Sequence, residues 1–490
     1  MNIFINYESP SIEFWGKLHL AVNILKKNNK KKVKIYLGHF RSFVLFTLKF
    51  ALYKNKTHKK NIFFYKDIWG LTEVLIDFFK KNNFKYFALQ EEEYLIFEKK
   101  KFTNFYKLLL QPKYFNKLDK FYCLSNKTKT LWENFVEKKY LKNFVVGGNP
   151  RYLFLDKILQ KKKILKKKSV LIVIPAPYFD YSKTKKYLKK NQKSLEPNSN
   201  EEKAYYYFFI RKFLKEVKNY IKENPRKKFI IKVYPTEKNF KKYYIRMFKN
   251  YSNVNFNFTG NIFESIQNSD YILSAPENSS LETLMLKKNL ILYFDKKNFL
   301  DRKLYKHHIS LKLVNHKNIQ SKNFKYFKIK NEKEKAFHKI TNMYGFNNNL
   351  DVLSNIGLNK SKASFFDFIH QKILNYFVKK VILDIEKIYK LKSSYEYSHY
   401  SNFDKKYKFS MIKLALFFLF FNNRFRSDIP GILYKFCVGR SSNHNTKFFG
   451  YLNYKINFKE LLRSLKKSYP FDKFNLKLHQ NQEILEISLK

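Results

Sequence analysis

Short apolar runs alternate with helix-length segments through the first third of the chain. The runs are Asn2–Asn6, Lys34–Leu37, Ile62–Tyr65, Tyr86–Leu89, Lys120–Leu124 and Phe144–Val146. Segments such as Ile12–Leu25 lie between them and repeat their apolar residues at helical spacing. This alternation predicts a mostly parallel sheet with helices on both faces. We therefore predict one Rossmann-like domain over residues 1–160.

The same alternation returns after the basic segment Gln160–Lys168, which we interpret as a solvated connector. Its predicted strands are Val170–Ile174, Phe229–Val233 and Tyr271–Leu273, with a long helix over Glu202–Lys222. A second Rossmann-like domain is therefore predicted over residues 169–380, with helices in 300–380 closing it. Residues 381–490 form a C-terminal extension whose role the pattern does not indicate.

The charge of the chain is strongly positive, with 99 Lys and Arg against 39 Asp and Glu. Such a field attracts anionic partners, including nucleotides, acidic glycans, anionic lipids and nucleic acids. Lys greatly outnumbers Arg, and Phe and Tyr are abundant while Gly and Pro are scarce, which is typical of AT-rich coding. Because base-reading proteins favour Arg and no nucleic-acid module is recognisable, we predict no specific nucleic-acid partner.

The cysteine count and the apolar segments of the chain allow a prediction of its cellular compartment. Cys123 and Cys437 are too few for a disulfide framework or a cysteine metal site. The N-terminal residues lack the pattern of a secretory signal, and the most apolar run, Leu414–Phe421, is too short to span a bilayer. We expect a cytoplasmic protein whose cationic surface would allow peripheral contact with an anionic inner membrane.

Polar residues follow four predicted strands of the first domain. They are Glu8, His39, the acidic loop Gln90–Glu93, and Gly147–Arg151, which includes Asn149. The carboxyl ends of parallel strands share one edge of a sheet, where such folds bind ligands. Glu91 and Glu92 are therefore candidate proton acceptors in catalysis. A solvated acidic turn at a helix N-terminus is the alternative interpretation of the same residues.

The stretch from Ser274 to Glu282 connects a predicted strand to a predicted helix in the second domain. Ser279 and Glu282 have the spacing of a capping box, in which both side chains bond backbone amides of the first helical turn. Alternatively, Ser279 and Ser280 would bind a phosphate at the positive end of the helix. The spacing alone leaves both interpretations open.

A series of short motifs over about residues 1–296 resembles a known family. The motifs are YESPSIEFWGKLHLA, IYLGH, FFYKD, LQEEEY, DKFYCLSNKTKTLW, GGNPRYLFLD, KVYPTE and SSLETLMLKKNLI. In this order they resemble the bacterial surface carbohydrate (surface polysaccharide) biosynthesis proteins, relatives of GT-B glycosyltransferases and of CDP-glycerol glycerophosphotransferases. Gly148-Asn149-Pro150-Arg151 is the most specific motif of the series.

The resemblance implies a GT-B-like α/β fold, with two Rossmann-like domains facing a cleft. It implies a cytoplasmic glycosyltransferase of capsule, O-antigen or lipopolysaccharide synthesis, which uses a nucleotide-sugar donor and a glycan or glycolipid acceptor. A CMP-linked acidic sugar such as Kdo is one candidate donor. No cofactor is expected, and no metal, because no D-x-D motif is apparent.

The resemblance also implies roles for thirteen residues. The implied catalytic residues are Glu91 and Glu92. The implied substrate-binding residues are Glu8, His39, Asn149 and Arg151. The implied donor-binding residues are Lys232, Tyr234, Glu237, Ser274, Ser279, Ser280 and Glu282. Of these, Lys232, Tyr234, Ser279 and Ser280 would hold the phosphates, and Glu282 the ribose hydroxyls.

Two departures from the family pattern affect the predicted chemistry. Gln90 stands where the family usually has Asp, and Glu93 where it has Gly. Lys232-Val233-Tyr234-Pro235 replaces Arg-Pro-His-Pro, which keeps a cation and the proline but loses the His. If the missing Asp is catalytic in relatives, either Glu91 or Glu92 replaces it, or this chain is a non-catalytic assembly protein of the same pathway.

Overall fold

The chain folds into two α/β units, each built on its own sheet. In this computed structural model the described residues are, apart from short gaps, 1–7, 13–39, 46–51, 61–66, 79–91, 118–152, 169–178, 199–258, 262–293, 324–327, 335–342, 473–479 and 484–490. The first unit includes Met1–Glu91 and Tyr106–Gly148, and the second includes Asn149–Phe346. Asn149 and Arg151 therefore belong to the second unit.

Six parallel strands form most of the first sheet. They are β1 (Asn2–Tyr7), β2 (Lys34–His39), β3 (Asn61–Lys66), β4 (Phe84–Leu89), β5 (Lys120–Cys123) and β6 (Phe144–Val146). Their order across the sheet is β2-β1-β3-β4-β5-β6. This is the flavodoxin-like order of doubly wound folds, and it reverses between β1 and β3. All six strands predicted for this unit are confirmed, with ends that differ by one or two residues.

Two helices follow strands of this sheet. The first, α1 (Phe14–Lys27), is buried almost all round, as its apolar sequence requires. The second, α2 (Asn126–Glu133), begins after Ser125, whose hydroxyl accepts a hydrogen bond from the backbone N–H of Thr128. Ser125 is thus the N-cap of this helix. A 3₁₀ helix over Lys138–Asn143 leads into β6.

The second sheet has the classical Rossmann order. Its strands are β7 (Ser169–Val173), β8 (Lys228–Lys232), β9 (Val254–Asn257), β10 (Tyr271–Ser274), β11 (Asn289–Tyr293) and β12 (Phe324–Phe327). They lie in the order β9-β8-β7-β10-β11-β12, and only β12 is antiparallel to its neighbour. The order reverses between β7 and β10, which makes their carboxyl ends the ligand-binding point of such a fold.

The described helices of the second unit pack around this sheet. They are α3 (Ser199–Glu223), α4 (Lys241–Met247), α5 (Ile262–Gln267) and α6 (Asn278–Met285). The core is apolar and continuous, because β7 is buried along its whole length and α6 is buried from Ser279 to Met285. Together the two sheets confirm the predicted Rossmann-like units. The predicted domain boundaries, and the cleft between the domains, stay predictions.

The end of the chain adds two strands that the sequence pattern did not indicate. They are β13 (Phe474–His479) and β14 (Ile484–Leu489), an antiparallel pair. The inner strand, β14, pairs antiparallel with β2 and so extends the first sheet to eight strands. Lys34 Nζ lies 2.8 Å from Glu486 Oε1 across this contact. The last residues of the predicted extension are therefore part of the first sheet.

Only helices were predicted within 300–380, but Phe324–Phe327 form a strand, β12. The sequence of this segment is Phe-Lys-Tyr-Phe, and aromatic residues favour strands when a neighbouring strand is available for pairing. That neighbour is β11. The connector Gln160–Lys168 and the apolar run Leu414–Phe421 lie outside the described residues. Within the described residues, no helix is both long enough and apolar enough to cross a membrane.

Candidate nucleotide-binding site

The carboxyl edge of the second sheet carries two of the predicted donor-binding residues, Lys232 and Ser274. Lys232 ends β8 and is level with Val173 at the end of β7. Ser274 ends β10 and follows Leu273, which pairs with Ile172 of β7. Lys232 and Ser274 are therefore at the same height on either side of β7, about 10 Å apart by the strand spacing. The site is thus centred on the point where the strand order reverses.

Lys232 is a cation in a nearly dry position. Its side chain is buried, and Nζ donates a hydrogen bond to Asn257 Oδ1 at 3.3 Å. Asn257 is itself held by a bond from its Nδ2 to Ser265 Oγ at 3.0 Å. Burial lowers the pKa of Lys232 to about 8, because the charged ammonium is poorly solvated there. An anion bound next to Lys232 would stabilise the charged ammonium in place of the missing water.

Two serine hydroxyls meet at the start of α6. Ser274 Oγ and Ser279 Oγ are 2.6 Å apart, and Ser274 Oγ also lies 2.9 Å from the Ala275 carbonyl oxygen, to which it donates. Ser280 faces another way, since its hydroxyl donates to the Glu277 carbonyl oxygen at 2.6 Å. The two serines predicted to act alike therefore differ. Ser279 joins the strand end, whereas Ser280 closes the first turn of the helix.

The capping-box interpretation of Ser279 and Glu282 is wrong. The N-cap of α6 is Glu277, two residues earlier, and no side chain caps the helix there. The S-x-x-E spacing suggested a cap at Ser279, but the helix begins before that residue. Ser279 and Glu282 therefore both lie inside the helix. Ser279 bonds Ser274 instead, and the Glu282 carboxylate contacts Arg151.

Glu282 and Arg151 form a buried ion pair in the second unit. Arg151 Nη1 lies 3.4 Å from Glu282 Oε1, and both side chains are less than a tenth exposed. Burial raises the pKa of Glu282 to about 7, against the opposing effect of the Arg151 charge. Two residues predicted to bind different substrates are thus in contact with each other.

The loop after β8 is fixed by a second buried contact. The Tyr244 hydroxyl donates to Glu237 Oε2, and the Glu237 side chain is fully buried. Burial, and next the Glu237 charge, raise the pKa of Tyr244 above its usual range. The backbone of Tyr178, beyond the end of β7, also hydrogen-bonds the Tyr244 hydroxyl. Tyr234 precedes Glu237 in the same loop, and its carbonyl oxygen accepts from the Glu237 N–H at 2.9 Å.

At the carboxyl edge of the first sheet, Glu91 is buried against Lys17 of α1. Lys17 Nζ is 2.8 Å from Glu91 Oε2 and 3.4 Å from Glu13 Oε2, and all three side chains are 5% exposed or less. A solvated acidic turn is therefore the wrong interpretation of Glu91. Lys17 was missed by the sequence reasoning, although a lysine four residues after Glu13 within the apolar run of α1 was a visible signal.

Gln90, which replaces the family Asp, supports the backbone. Its Oε1 accepts from the Leu124 N–H at 3.2 Å, and its own N–H donates to the Tyr122 carbonyl oxygen at 3.0 Å. An amide meets this need as well as a carboxylate would, because the donor is a neutral backbone N–H. Gln90 therefore links the end of β4 to the end of β5.

Three predicted residues cannot be placed in full. Glu8 and Glu92 lie outside the described residues, and for His39 only the backbone at the end of β2 is described.

Asn149 is fully buried, and its Oδ1 accepts from the Arg151 N–H at 2.9 Å. Within the described part of the chain, no three His, Cys, Asp or Glu side chains are grouped as a metal site would require. The assigned roles of all these residues stay predictions.

The protein therefore consists of two doubly wound units. In the second unit, buried polar side chains lie at the carboxyl ends of the strands, at the point where the strand order reverses. No family model matches the chain. No curated protein matches it either.

Several solved structures are similar to the chain. One is the UDP-GlcNAc 2-epimerase of Methanocaldococcus jannaschii in complex with UDP-GlcNAc and UDP, at 13% identity over 70% of this chain and 99% of that one, with a TM-score of 0.38. Another is a S. aureus MnaA–UDP structure, at 10% identity over 70% and 93%, with a TM-score of 0.41. The wall teichoic acid polymerase TagF is 8% identical over 78% and 89%, with a TM-score of 0.35. Likenesses this distant carry no argument about activity.

Proposed function

We propose that the protein is a nucleotide-sugar-dependent glycosyltransferase of bacterial surface carbohydrate synthesis. The observation that supports this most directly is the set of buried polar groups at the reversal point of the second sheet. Lys232, Ser274 and the start of α6 surround the position where doubly wound folds bind nucleotides. The sequence resemblance supports the reaction class, and the polar groups at the second sheet support a nucleotide subsite there.

In this proposal the donor phosphates lie between the N-terminus of α6 and Lys232. The helix offers free backbone N–H groups and a partial positive charge, and Ser274 and Ser279 offer hydroxyls. With a pKa of about 8, Lys232 is mostly protonated at pH 7 and complements the phosphate charge. Glu282 accepts the ribose hydroxyls. Tyr234, Glu237 and Ser280 keep the surrounding loops and the helix start in place.

The transfer itself moves one glycosyl group. The bond from the sugar C1 to the phosphate oxygen breaks, and its electron pair leaves with the nucleotide, whose charge Lys232 and α6 stabilise. An acceptor hydroxyl of a glycan or glycolipid forms the new bond at C1. Its proton passes to a carboxylate, for which Glu91 and Glu92 are the candidates. Glu8, His39, Asn149 and Arg151 are proposed on the substrate side, and no metal takes part in the scheme.

A second candidate is a non-catalytic assembly protein that keeps the nucleotide subsite. Two observations favour it over the transferase. Gln90 is an amide occupied with the backbone, and the Glu91 carboxylate is ion-paired with Lys17. If Glu92 does not replace them, binding would persist without transfer.

Thermal-shift measurements with CMP-, CDP-, UDP- and GDP-sugars, including CMP-Kdo, and with CDP-glycerol test the proposal. A ligand present at 100 times its Kd should stabilise the folded protein by about 2.7 kcal/mol. Stabilisation by a nucleotide-sugar, followed by release of its nucleotide with an acceptor present, supports the transferase. Stabilisation without turnover supports the assembly protein, and a response to CDP-glycerol alone supports a glycerophosphotransferase. No response to any of them would refute the nucleotide subsite.

A further inference from the structure

The Glu282 carboxylate has hydrogen-bonding capacity that the protein leaves unused. It is 5% exposed, and within the described residues its one polar interaction is the 3.4 Å ion pair with Arg151. No hydrogen bond from a described residue reaches either carboxylate oxygen. Buried carboxylates ordinarily accept several hydrogen bonds, so this one is suited to receive donors from a ligand.

Arg151, by contrast, is held by its own loop. Gly148 has a φ of 73°, a backbone conformation that glycine adopts without strain. Asn149 Oδ1 then accepts from the Arg151 N–H at 2.9 Å, and the Arg151 side chain is buried. The most specific sequence motif of the chain, Gly148-Asn149-Pro150-Arg151, therefore fixes where the guanidinium lies.

We propose, building on the proposed function, that Arg151 is a positioning residue for Glu282. Its guanidinium holds one carboxylate oxygen so that the group stays ionised and oriented for the ribose hydroxyls of the donor. Arg151 does not contact the donor itself in this scheme. The role differs from the direct substrate binding that the sequence resemblance implies.

The charges around Glu282 support this division of labour. Among the described elements, α5, β10 and β11 pack most closely against α6, and their titratable side chains are the exposed Glu264 and the tyrosines 271 and 293. Arg151 is nevertheless the charged group that shifts the Glu282 pKa, which lies at about 7 even with the guanidinium present. Without Arg151, burial acts unopposed and Glu282 is mostly protonated at pH 7. A protonated carboxyl accepts a vicinal diol poorly, because one of its oxygens carries a hydrogen.

The test compares nucleotide affinity in wild type and Arg151→Met from pH 6 to pH 9. The probes are CMP, CDP, UDP and GDP, with the 2′-deoxy analogue of the tightest binder. If the Glu282 pKa rises by one unit, Arg151→Met should bind about five-fold more weakly at pH 7 and less than about two-fold more weakly at pH 9. In wild type the 2′-deoxy analogue should bind more weakly than the ribonucleotide. That preference should shrink in Arg151→Met at pH 7.

A double-mutant comparison separates positioning from direct contact. In the Glu282→Gln background, Arg151→Met should change affinity by less than about two-fold, because the residue acts through Glu282. An equal loss in both backgrounds, at every pH, would overturn the proposal and return Arg151 to substrate binding. Arg246→Met, which removes an exposed arginine of α4, is the matched control and should match wild type.

Two further measurements keep the outcome decisive. Arg151→Lys retains a cation at this position, so it should show a smaller loss than Arg151→Met, and it replaces that variant if the latter does not fold. The pH dependence of the free energy of unfolding reports the Glu282 pKa in the folded protein without any ligand, and Arg151→Met should move that pKa above 7. Failure of every nucleotide to bind wild type would refute the proposed function. An unchanged Glu282 pKa in Arg151→Met would refute the positioning role alone.

Discussion

The carboxyl edges of the two sheets both bury charged side chains, but they compensate them differently. At the first edge, Lys17 lies between Glu13 and Glu91, and the shorter contact is 2.8 Å. At the second edge, Arg151 contacts Glu282 at 3.4 Å, and no hydrogen bond from a described residue reaches that carboxylate. The first edge therefore places one cation between two carboxylates, whereas the second pairs one guanidinium with one carboxylate at a longer distance.

The difference indicates which charges serve folding and which serve binding. A buried ion pair that is complete contributes little by itself, but removing one partner leaves a desolvated charge that is strongly destabilising. A buried carboxylate with unused acceptors already carries part of that cost in the folded protein, and a ligand that supplies donors removes it. We therefore expect substitutions at the first edge to change stability, and substitutions at the second edge to change nucleotide affinity as well as the pH dependence of stability.

The largest expected effect comes from breaking the first edge. Lys17→Met leaves Glu13 and Glu91 buried without their cation and should lower the free energy of unfolding by about 3–5 kcal/mol, measured by urea denaturation. Lys27→Met, which removes an exposed lysine at the end of the same helix, should change it by about 0.5 kcal/mol or less. Equal effects of the two substitutions would contradict the comparison.

The next effect is the pH dependence of stability that Glu282 causes. Its pKa in the folded protein, about 7, is above the ordinary value of 4.5, so the folded state binds more protons than the unfolded state between these pH values. Stability should therefore fall as the pH rises from 4.5 to 7, by about 3 kcal/mol from this group. Glu282→Gln should lack that contribution, and the exposed Glu264→Gln should keep it. Parallel pH profiles for all three proteins would show that Glu282 titrates normally.

A smaller effect concerns the pH range in which the second edge binds a nucleotide. Affinity should rise through pH 7 as Glu282 ionises, and fall above pH 8 as Lys232 loses its proton. Lys232→Met should bind about ten-fold more weakly near pH 7.5 and should lose the decrease above pH 8. Lys228→Met, at the exposed start of the same strand, should retain the whole profile. Titration calorimetry with the best nucleotide of the panel measures both limbs, and a limb that survives in Lys232→Met belongs to another group.

Strand positions followed from the sequence because buried parallel strands are apolar along their whole length. Ser169–Val173 is an example, and its alternation with helices predicted the parallel sheet. The strands β12, β13 and β14 were missed; β12 and β14 pair with strands distant in sequence, and β13 pairs with β14 alone. The pairing of Ile484–Leu489 with β2, for instance, joins positions more than 440 residues apart. Local pattern carries no signal for such a contact.

The position of a single site residue could be predicted only where the residue directly ends a predicted strand. Lys232 and Ser274 follow apolar runs, so their position at the carboxyl edge could be deduced. The partner of Glu282 could not be deduced, because Arg151 lies in a turn 131 residues earlier in the chain. The spacing of Ser279 and Glu282 indicated a capping box until the true N-cap, Glu277, placed both inside the helix.

The last comparison separates the two serines at the start of α6. Ser279 Oγ meets Ser274 Oγ at 2.6 Å at the strand end, where a phosphate would be bound, so Ser279→Ala removes a hydroxyl that faces the proposed subsite. A lost hydrogen bond to a charged group costs about 1.5 kcal/mol, which should weaken nucleotide binding roughly ten-fold. Ser280→Ala removes a hydroxyl that donates to the Glu277 carbonyl oxygen, so it should change affinity by less than about two-fold. Calorimetry on both variants decides the matter, because equal losses would mean that the phosphate contacts the whole first turn rather than the strand end.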